Sequence, residues 1–329
     1  MKKKIALLLA VLMTVSLLLS GCGGTSSPDG SSGGMSSAAA GRPLMLWEVT
    51  SPENGDQHLY LMGTIHYGEA DMYPMEAPIE EAFAVSDALA VEIDLLAFEE
   101  DTAYVRQLSD QFTYYSDGSA AKDHLSEETY TAAKTVLQEN QLYQEWLERC
   151  KVSQWSSLLQ GIATAKTGLQ AAYGVDRYLL RRAKETDKVI YELESVEFQW
   201  KMMDDFSDDL QELILTGSLD IDGQAEATRQ VFDAWKAGDS ESMAAVDLSA
   251  ATPEQKALLE EYYEAMLYDR NDAMTKKAEA YLQSGETVFF AVGGGHMGGS
   301  RGIVAQLREK GYNVRQIGAD DTLSLPQAA

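Results

Sequence analysis

Cysteine is nearly absent from this chain: Cys22 and Cys150 are the two that occur in 329 residues. A thiolate metal cluster is thereby excluded, and with Cys22 read below as a lipidated N-terminal cysteine, so is an intrachain disulfide. Positive charge is scarce as well. Twenty-six Lys and Arg stand against 52 Asp and Glu, a net charge of −26, and such a surface repels phosphate backbones, so nucleic acid is not an expected partner. Histidine occurs four times. The chain has no HExxH helix, no GxGxxG and no Walker lysine, which excludes a common zincin and the common nucleotide-binding loops. Any metal site must therefore be built from nitrogen and oxygen donors.

The long apolar run is confined to the N-terminus. Lys2, Lys3 and Lys4 precede Ile5–Leu19, a basic segment followed by an apolar one too short to span a bilayer comfortably, which is the pattern of a signal peptide. Leu19-Ser20-Gly21-Cys22 resembles the lipobox of bacterial lipoproteins, so cleavage before Cys22 is expected to leave that cysteine lipidated. Residues 1–21 then form the signal and 22–42, rich in Gly, Ser and Ala, a flexible tether. This places the folded region, 43–329, outside the cytoplasm and held at a bacterial membrane.

Within the folded region a short pattern occurs twice. Leu59-Tyr60-Leu61-Met62 runs into Gly63-Thr64-Ile65-His66, and Val288-Phe289-Phe290-Ala291-Val292 runs into Gly293-Gly294-Gly295-His296. Each is an apolar strand ending in a glycine turn that delivers a histidine. Imidazole is the usual transition-metal ligand and the usual acid or base near neutral pH. Two of them, equivalently mounted and distant in sequence, suggest a single site assembled from both ends of the chain. His58, on an exposed-looking strand, and His124, in an acidic loop, lack that context.

Leu44–Val49 and His58–Met62 read as a hairpin around Ser51-Pro52-Glu53-Asn54-Gly55-Asp56. After His66 a helical spacing of Met75, Ile79 and Phe83 leads to the strand Ala88–Asp94. After His296 a helix from about Ser300 to Lys310 leads to a strand near Asn313–Ile317. A third unit couples a helix over Val175–Glu185 to a strand over Lys188–Glu194. The expected fold is a mixed α/β domain, α+β in character. Its central mixed sheet is built from N- and C-terminal strand-GxxH-helix-strand halves and covered by a large helical middle region, with helical insertions at about 97–170 and 200–283. Ligand sites at the carboxyl ends of such strands are the usual geometry. The acids Glu92, Asp94, Glu192 and Glu194 all close predicted strands. Glu92 is the strongest candidate for a functional carboxylate, because apolar neighbours on both sides put it near the interior, where a charge must be paired or metal-bound.

Gly63-Thr64-Ile65-His66, Val91-Glu92-Ile93-Asp94-Leu95, Tyr173-Gly174-Val175-Asp176-Arg177-Tyr178-Leu179, Glu192-Leu193-Glu194-Ser195-Val196-Glu197, Trp235-Lys236-Ala237-Gly238-Asp239, Arg270-Asn271 and Val292-Gly293-Gly294-Gly295-His296-Met297 together resemble, in order, the motifs of the TraB/GumN family, to which the Tiki proteases of animals belong. The last motif departs modestly, since the family more often has Gly-Ala-Gly-His-Leu there. The resemblance implies a metal-dependent active site in which His66, His296 and Glu92 hold a divalent ion, Mn, Co, Fe or Zn, with Asp176, Glu194 and Arg270 around the cleft. The ion would polarise a carbonyl and activate a water. Glu194 or Asp176 would then serve as general base, and Arg270 would stabilise an oxyanion or a substrate carboxylate. The expected activity is that of a lipid-anchored, extracytoplasmic hydrolase with a peptidase-like action on peptides or other small substrates. The alternative is a lipoprotein that binds and sequesters a peptide or a small ligand such as haem without turnover.

Overall fold

The computed structural model describes residues 41–324 apart from 54–57, 247 and 250. The signal 1–21, lipidation at Cys22 and the tether up to residue 40 lie outside the described residues, as does the tip of the first hairpin.

Six strands form one mixed sheet: β1 (Pro43–Thr50), β2 (His58–Thr64), β3 (Ala88–Val91), β4 (Val189–Glu192), β5 (Val288–Gly293) and β6 (Asn313–Gly318), in the order β4-β3-β5-β2-β1-β6. Strands β4, β3, β5 and β2 run parallel, and β1 is antiparallel to both β2 and β6. Parallel strands are covered on both faces, which is why β2, β3 and β5 read as unbroken apolar runs and are buried along almost their whole length. The two strand-GxxH-helix-strand halves interleave. From β2 the chain passes through the Ala77–Val85 helix to β3, skipping the place taken by β5; from β5 it passes through the Ile303–Glu309 helix to β6. The first strands of the two halves are thus hydrogen-bonded neighbours, with Thr64 paired to Gly293.

Helices cover the sheet with Ile79, Phe83, Leu179, Leu180, Ile303 and Leu307 in one core, where Phe83 meets Phe289 edge to face at 5.5 Å. The helical middle builds two further clusters of its own, one around Phe98, Phe112, Trp200 and Tyr262 and one around Leu137, Leu147, Trp155 and Leu159. The second helical run is not wholly an insertion. Its last helix, Asp269–Ser284, lays Met274, Ala278 and Leu282 onto the sheet core, because β5 follows it directly. Among the described residues no helix is long and apolar enough to cross a membrane.

Strands β3 and β4 end at Val91 and Glu192, earlier than Asp94 and Glu194, because the acids that follow are drawn into other work. Asp94 caps the Leu95–Glu100 helix, its carboxylate accepting from the amides of Leu96 and Ala97, as short acids do at helix starts. Glu192 accepts from the Asp94 amide at 2.8 Å. Glu92 and Glu194 turn inward.

Candidate functional site

The carboxyl ends of β2, β3 and β5 open on a cavity of about 70 Å³ lined by Thr64, His66, Glu92, Gln199, Met266, Arg270, Gly293–Gly295 and His296, among others. The two glycine turns are pressed together: a Cβ at Gly63 would stand 3.1 Å from the Gly294 Cα. Convergence of both ends of the chain, expected from the repeated pattern, is present.

His296 is buried, 2% exposed, and its surroundings fix which nitrogen carries the proton. Asn271 donates through Nδ2 to the Arg301 carbonyl at 2.9 Å, so its Oδ1 is an acceptor, and His296 Nδ1 must donate to it at 2.6 Å. Burial first, then the nearby Arg270 charge, push the imidazole pKa down to about 3. The ring is neutral at pH 7, and Nε2 carries its lone pair. That atom stands 3.8 Å from Glu92 Oε1, beyond hydrogen-bond reach.

His66 has the opposite environment. Its side chain is 29% exposed, and Nδ1 donates to Asp176 Oδ2 at 2.8 Å. Burial opposes its charging, yet the Asp176 carboxylate outweighs that and raises its pKa. Asp176 is itself fixed by Thr64, whose hydroxyl donates to Oδ1 at 2.5 Å. It reaches both because the N-terminus of the Val175–Glu185 helix is clamped onto the β2 turn, with the Val175 amide donating to the Ile65 carbonyl at 2.8 Å. The contact admits no side chain at position 174, since a Cβ there would lie 2.4 Å from the His66 carbonyl oxygen. Trp235 braces the same turn through Nε1 to the Gly63 carbonyl at 2.8 Å.

Glu92 is held at both oxygens. Oε1 accepts the Gly293 amide at 2.7 Å; Oε2 accepts Arg270 Nη2 at 2.5 Å and Gln199 Nε2 at 3.1 Å. Against the cost of burial, Arg270 and the two histidines hold its carboxyl well below the usual carboxylate range, so it is ionised. Arg270 also donates to Glu194, through Nε and Nη2, each at 2.8 Å, and to the Met266 carbonyl through Nη1. It lies two residues beyond the π-helical turn Glu264–Tyr268, a widening of the kind often found at functional sites.

Neither Glu194 nor Asp176 is among the described residues that line this cavity, although Glu194 lines an adjoining groove beside Arg270. Glu194 is consumed by Arg270 and Gln199, Asp176 by His66 and Thr64. Arg270 reaches the cavity, but each of its three guanidinium nitrogens already donates to protein, because two buried carboxylates need a countercharge. The sequence pattern does not single out Gln199, and it gives Asn271 only as the neighbour of Arg270 in a short motif. Their signal is slight: amides on apolar helix faces, one five residues beyond Glu194 and one beside Arg270.

The other histidines lie elsewhere. His58 is buried, not exposed, near Glu48. His124 stacks on Tyr115 between Asp208 and Ser119, an order like that of a Ser-His-Asp relay. Yet the amides of Ser119 and Ala120 are spent on Asp117 and Asp123, and neither is left for an oxyanion.

A divalent ion suits these donors in kind. Metal binding needs neutral imidazole and ionised carboxylate, and His296 and Glu92 are in those states. Two donors each about 2.1 Å from one ion stand at most about 4.2 Å apart, and the 3.8 Å between His296 Nε2 and Glu92 Oε1 is within that span. The carboxylate behind His66 is a usual support of a ligating imidazole, and the Asn271 side-chain oxygen takes the same place behind His296. Among the described residues no three His, Cys, Asp or Glu side chains already form a group that could hold a metal ion.

Residues 45–316 match the TraB/PrgY/gumN family. The chain belongs to that family. Relatives within and around it include YbaP of Escherichia coli strain K12, an uncharacterised protein 26% identical over 261 residues, which cover 79% of this chain and 91% of that one. A zebrafish protein, metalloprotease TIKI1, is 24% identical over 84% of this chain and 64% of its own length. A sponge homologue of the TIKI metalloprotease, from Amphimedon queenslandica, is 30% identical over 32% of this chain and 24% of its own. No solved structure matches the chain. The TraB/PrgY/gumN match spans both GxxH turns, Glu92, Asp176, Glu194 and Arg270.

Proposed function

We propose that this TraB/PrgY/gumN protein is a metal-dependent hydrolase of peptides, working outside the cytoplasm at a membrane to which lipid on Cys22 tethers it. The observation that carries the reading is that both imidazoles and Glu92 share one cavity, with each Nδ1 spent on a protein acceptor. Two relatives are named as metalloproteases, which supports the reaction class.

His66, His296 and Glu92 would hold the ion. When bound, a divalent ion supplies Lewis acidity toward a carbonyl and lowers the pKa of a coordinated water toward neutrality. The rest is done by the chain. Asn271 and Asp176 fix the two rings in the tautomer that leaves Nε2 as the remaining donor. Arg270 bridges Glu92 and Glu194 and supplies their countercharge, and the Gly293 amide locks Glu92 in orientation. A groove of about 760 Å³, lined by Phe198, Met202, Phe206 and Ala265, shares Met202 and Arg270 with the cavity. It gives an extended ligand somewhere to lie.

Non-catalytic sequestration of a peptide or of a small ligand such as haem is the weaker reading, because two relatives are named as metalloproteases. The test is digestion of a mixed peptide library with Mn, Co, Fe or Zn added in turn to wild type, His66→Ala and His296→Ala. Cleavage by wild type alone is expected. A wild type that retains none of the four metals and cleaves nothing would end this reading.

A further inference from the structure

We infer that Gln199 is a substrate-binding residue whose side-chain carbonyl accepts a backbone N–H of the bound chain, so that the site takes amides in preference to esters of the same shape. The inference rests on the peptide reading above and sharpens it.

Gln199 sits in the first turns of the Val196–Asp204 helix, which Ser195 caps by accepting the Phe198 amide at 3.1 Å. It is 2% exposed and lines the cavity with His66 and His296. Its amide cannot turn over. Nε2 donates to Glu92 Oε2 at 3.1 Å and to Glu194 Oε2 at 2.8 Å, and both carboxylates already accept from Arg270. Reversing the amide would aim its carbonyl at two negative oxygens. Oε1 is therefore fixed as the end turned away from the two carboxylates, and it is buried with no protein partner. A buried acceptor without a donor is costly, and such atoms are rare unless a ligand or water completes them.

What completes it must be a donor. The nearby groups are of the wrong kind: His296 Nε2 carries a lone pair, Glu92 is a carboxylate, and the Arg270 nitrogens already donate to protein. If His296 and Glu92 hold an ion, Gln199 Oε1 is the acceptor that remains for the substrate. A peptide brings an N–H at every residue; an ester brings oxygen, which Gln199 Oε1 would repel. Sites built around a hydrogen bond discriminate strongly against analogues that lack it.

The test takes a peptide that the wild type cleaves with Mn present and replaces its backbone N–H groups by oxygen one at a time. At one position the replacement should lower kcat/KM at least about tenfold in wild type and less than about twofold in Gln199→Met, whose own rate is already reduced. Equal sensitivity in both proteins would overturn the inference and assign Oε1 to water. If Gln199→Met does not fold, the wild-type scan decides alone: indifference to oxygen at every position overturns it, and one sensitive position shared with a folded Gln199→Asn does so too. Failure of the wild type to cleave or, by fluorescence anisotropy, to bind any peptide would sink the peptide reading and this inference with it. Cleavage without coupling sinks only the latter.

Discussion

The two GxxH turns share a pattern and a sheet edge but not an electrostatic setting. His66 is partly exposed and backed by the Asp176 carboxylate, which raises its proton affinity; His296 is buried, backed by the Asn271 amide, and pushed down to about 3. The strand and the glycine turn decide where each ring stands, and the residue behind the ring decides what it can do. A neutral buried imidazole beside an ionised carboxylate is ready to ligate at any pH above the acid range. Its counterpart holds a proton more tightly, so protons compete more strongly there with anything that ligates.

The largest effect on that contrast is expected from Arg270, which depresses His296 and holds both inner carboxylates. Arg270→Met would leave Glu92 and Glu194 buried without a countercharge and should destabilise the fold by about 3–5 kcal/mol in urea unfolding; a loss under about 1 kcal/mol would show that the pairs carry little. Next is an exchange of the supporting residues. Asn271→Asp should raise the His296 pKa and Asp176→Asn should lower that of His66, each followed by NMR titration, with stability losses of about 1–3 kcal/mol. If both rings titrate as in wild type, the supports are not the source of the difference.

The exchange also carries a pH signature. A folded-state pKa raised above the unfolded value near 6.5 contributes stability that is complete below about pH 6.5 and fades as pH rises through the higher folded value. Wild type should therefore lose urea resistance as the pH rises above about 6.5, and Asp176→Asn should lose less over the same rise. Glu92 works in the other direction: its depressed pKa contributes stability above about pH 4.5 that drains away in stronger acid. The smallest effects should come from outside the cavity. Ser119→Ala is expected to leave peptide cleavage unchanged and to shift stability by less than about 1 kcal/mol, because the Ser119-His124-Asp208 group lacks spare amides; loss of cleavage in that variant would move the active site there.

Much of this was legible in the residues. The interleaved halves follow from β2 and β5 being apolar throughout and ending in the same turn, and Glu92 stood out because apolar residues flank it. Which acids would be drawn inward was not legible. Asp94 and Glu192 close their strands just as Glu92 and Glu194 do, and they differ only in what the neighbouring chain offers: an amide-rich helix start for Asp94, a guanidinium for Glu194. That Glu194, Asp176 and Arg270 are each hydrogen-bonded to other protein side chains was not legible either, since partners from distant elements, Thr64 for Asp176 and Arg270 for Glu194, leave no local trace. The helix Asp269–Ser284 looked like a piece of an insertion because its polar face dominates the pattern, while Met274, Ala278 and Leu282 supply a stripe narrow enough to miss.

The most direct test is anomalous scattering from crystals of the protein grown with Co. One peak within about 2.0–2.2 Å of Nε2 of both His66 and His296 and of a Glu92 oxygen is predicted, vanishing in His66→Ala and His296→Ala. A cobalt peak bound elsewhere, or no peak between the two rings, would contradict the account.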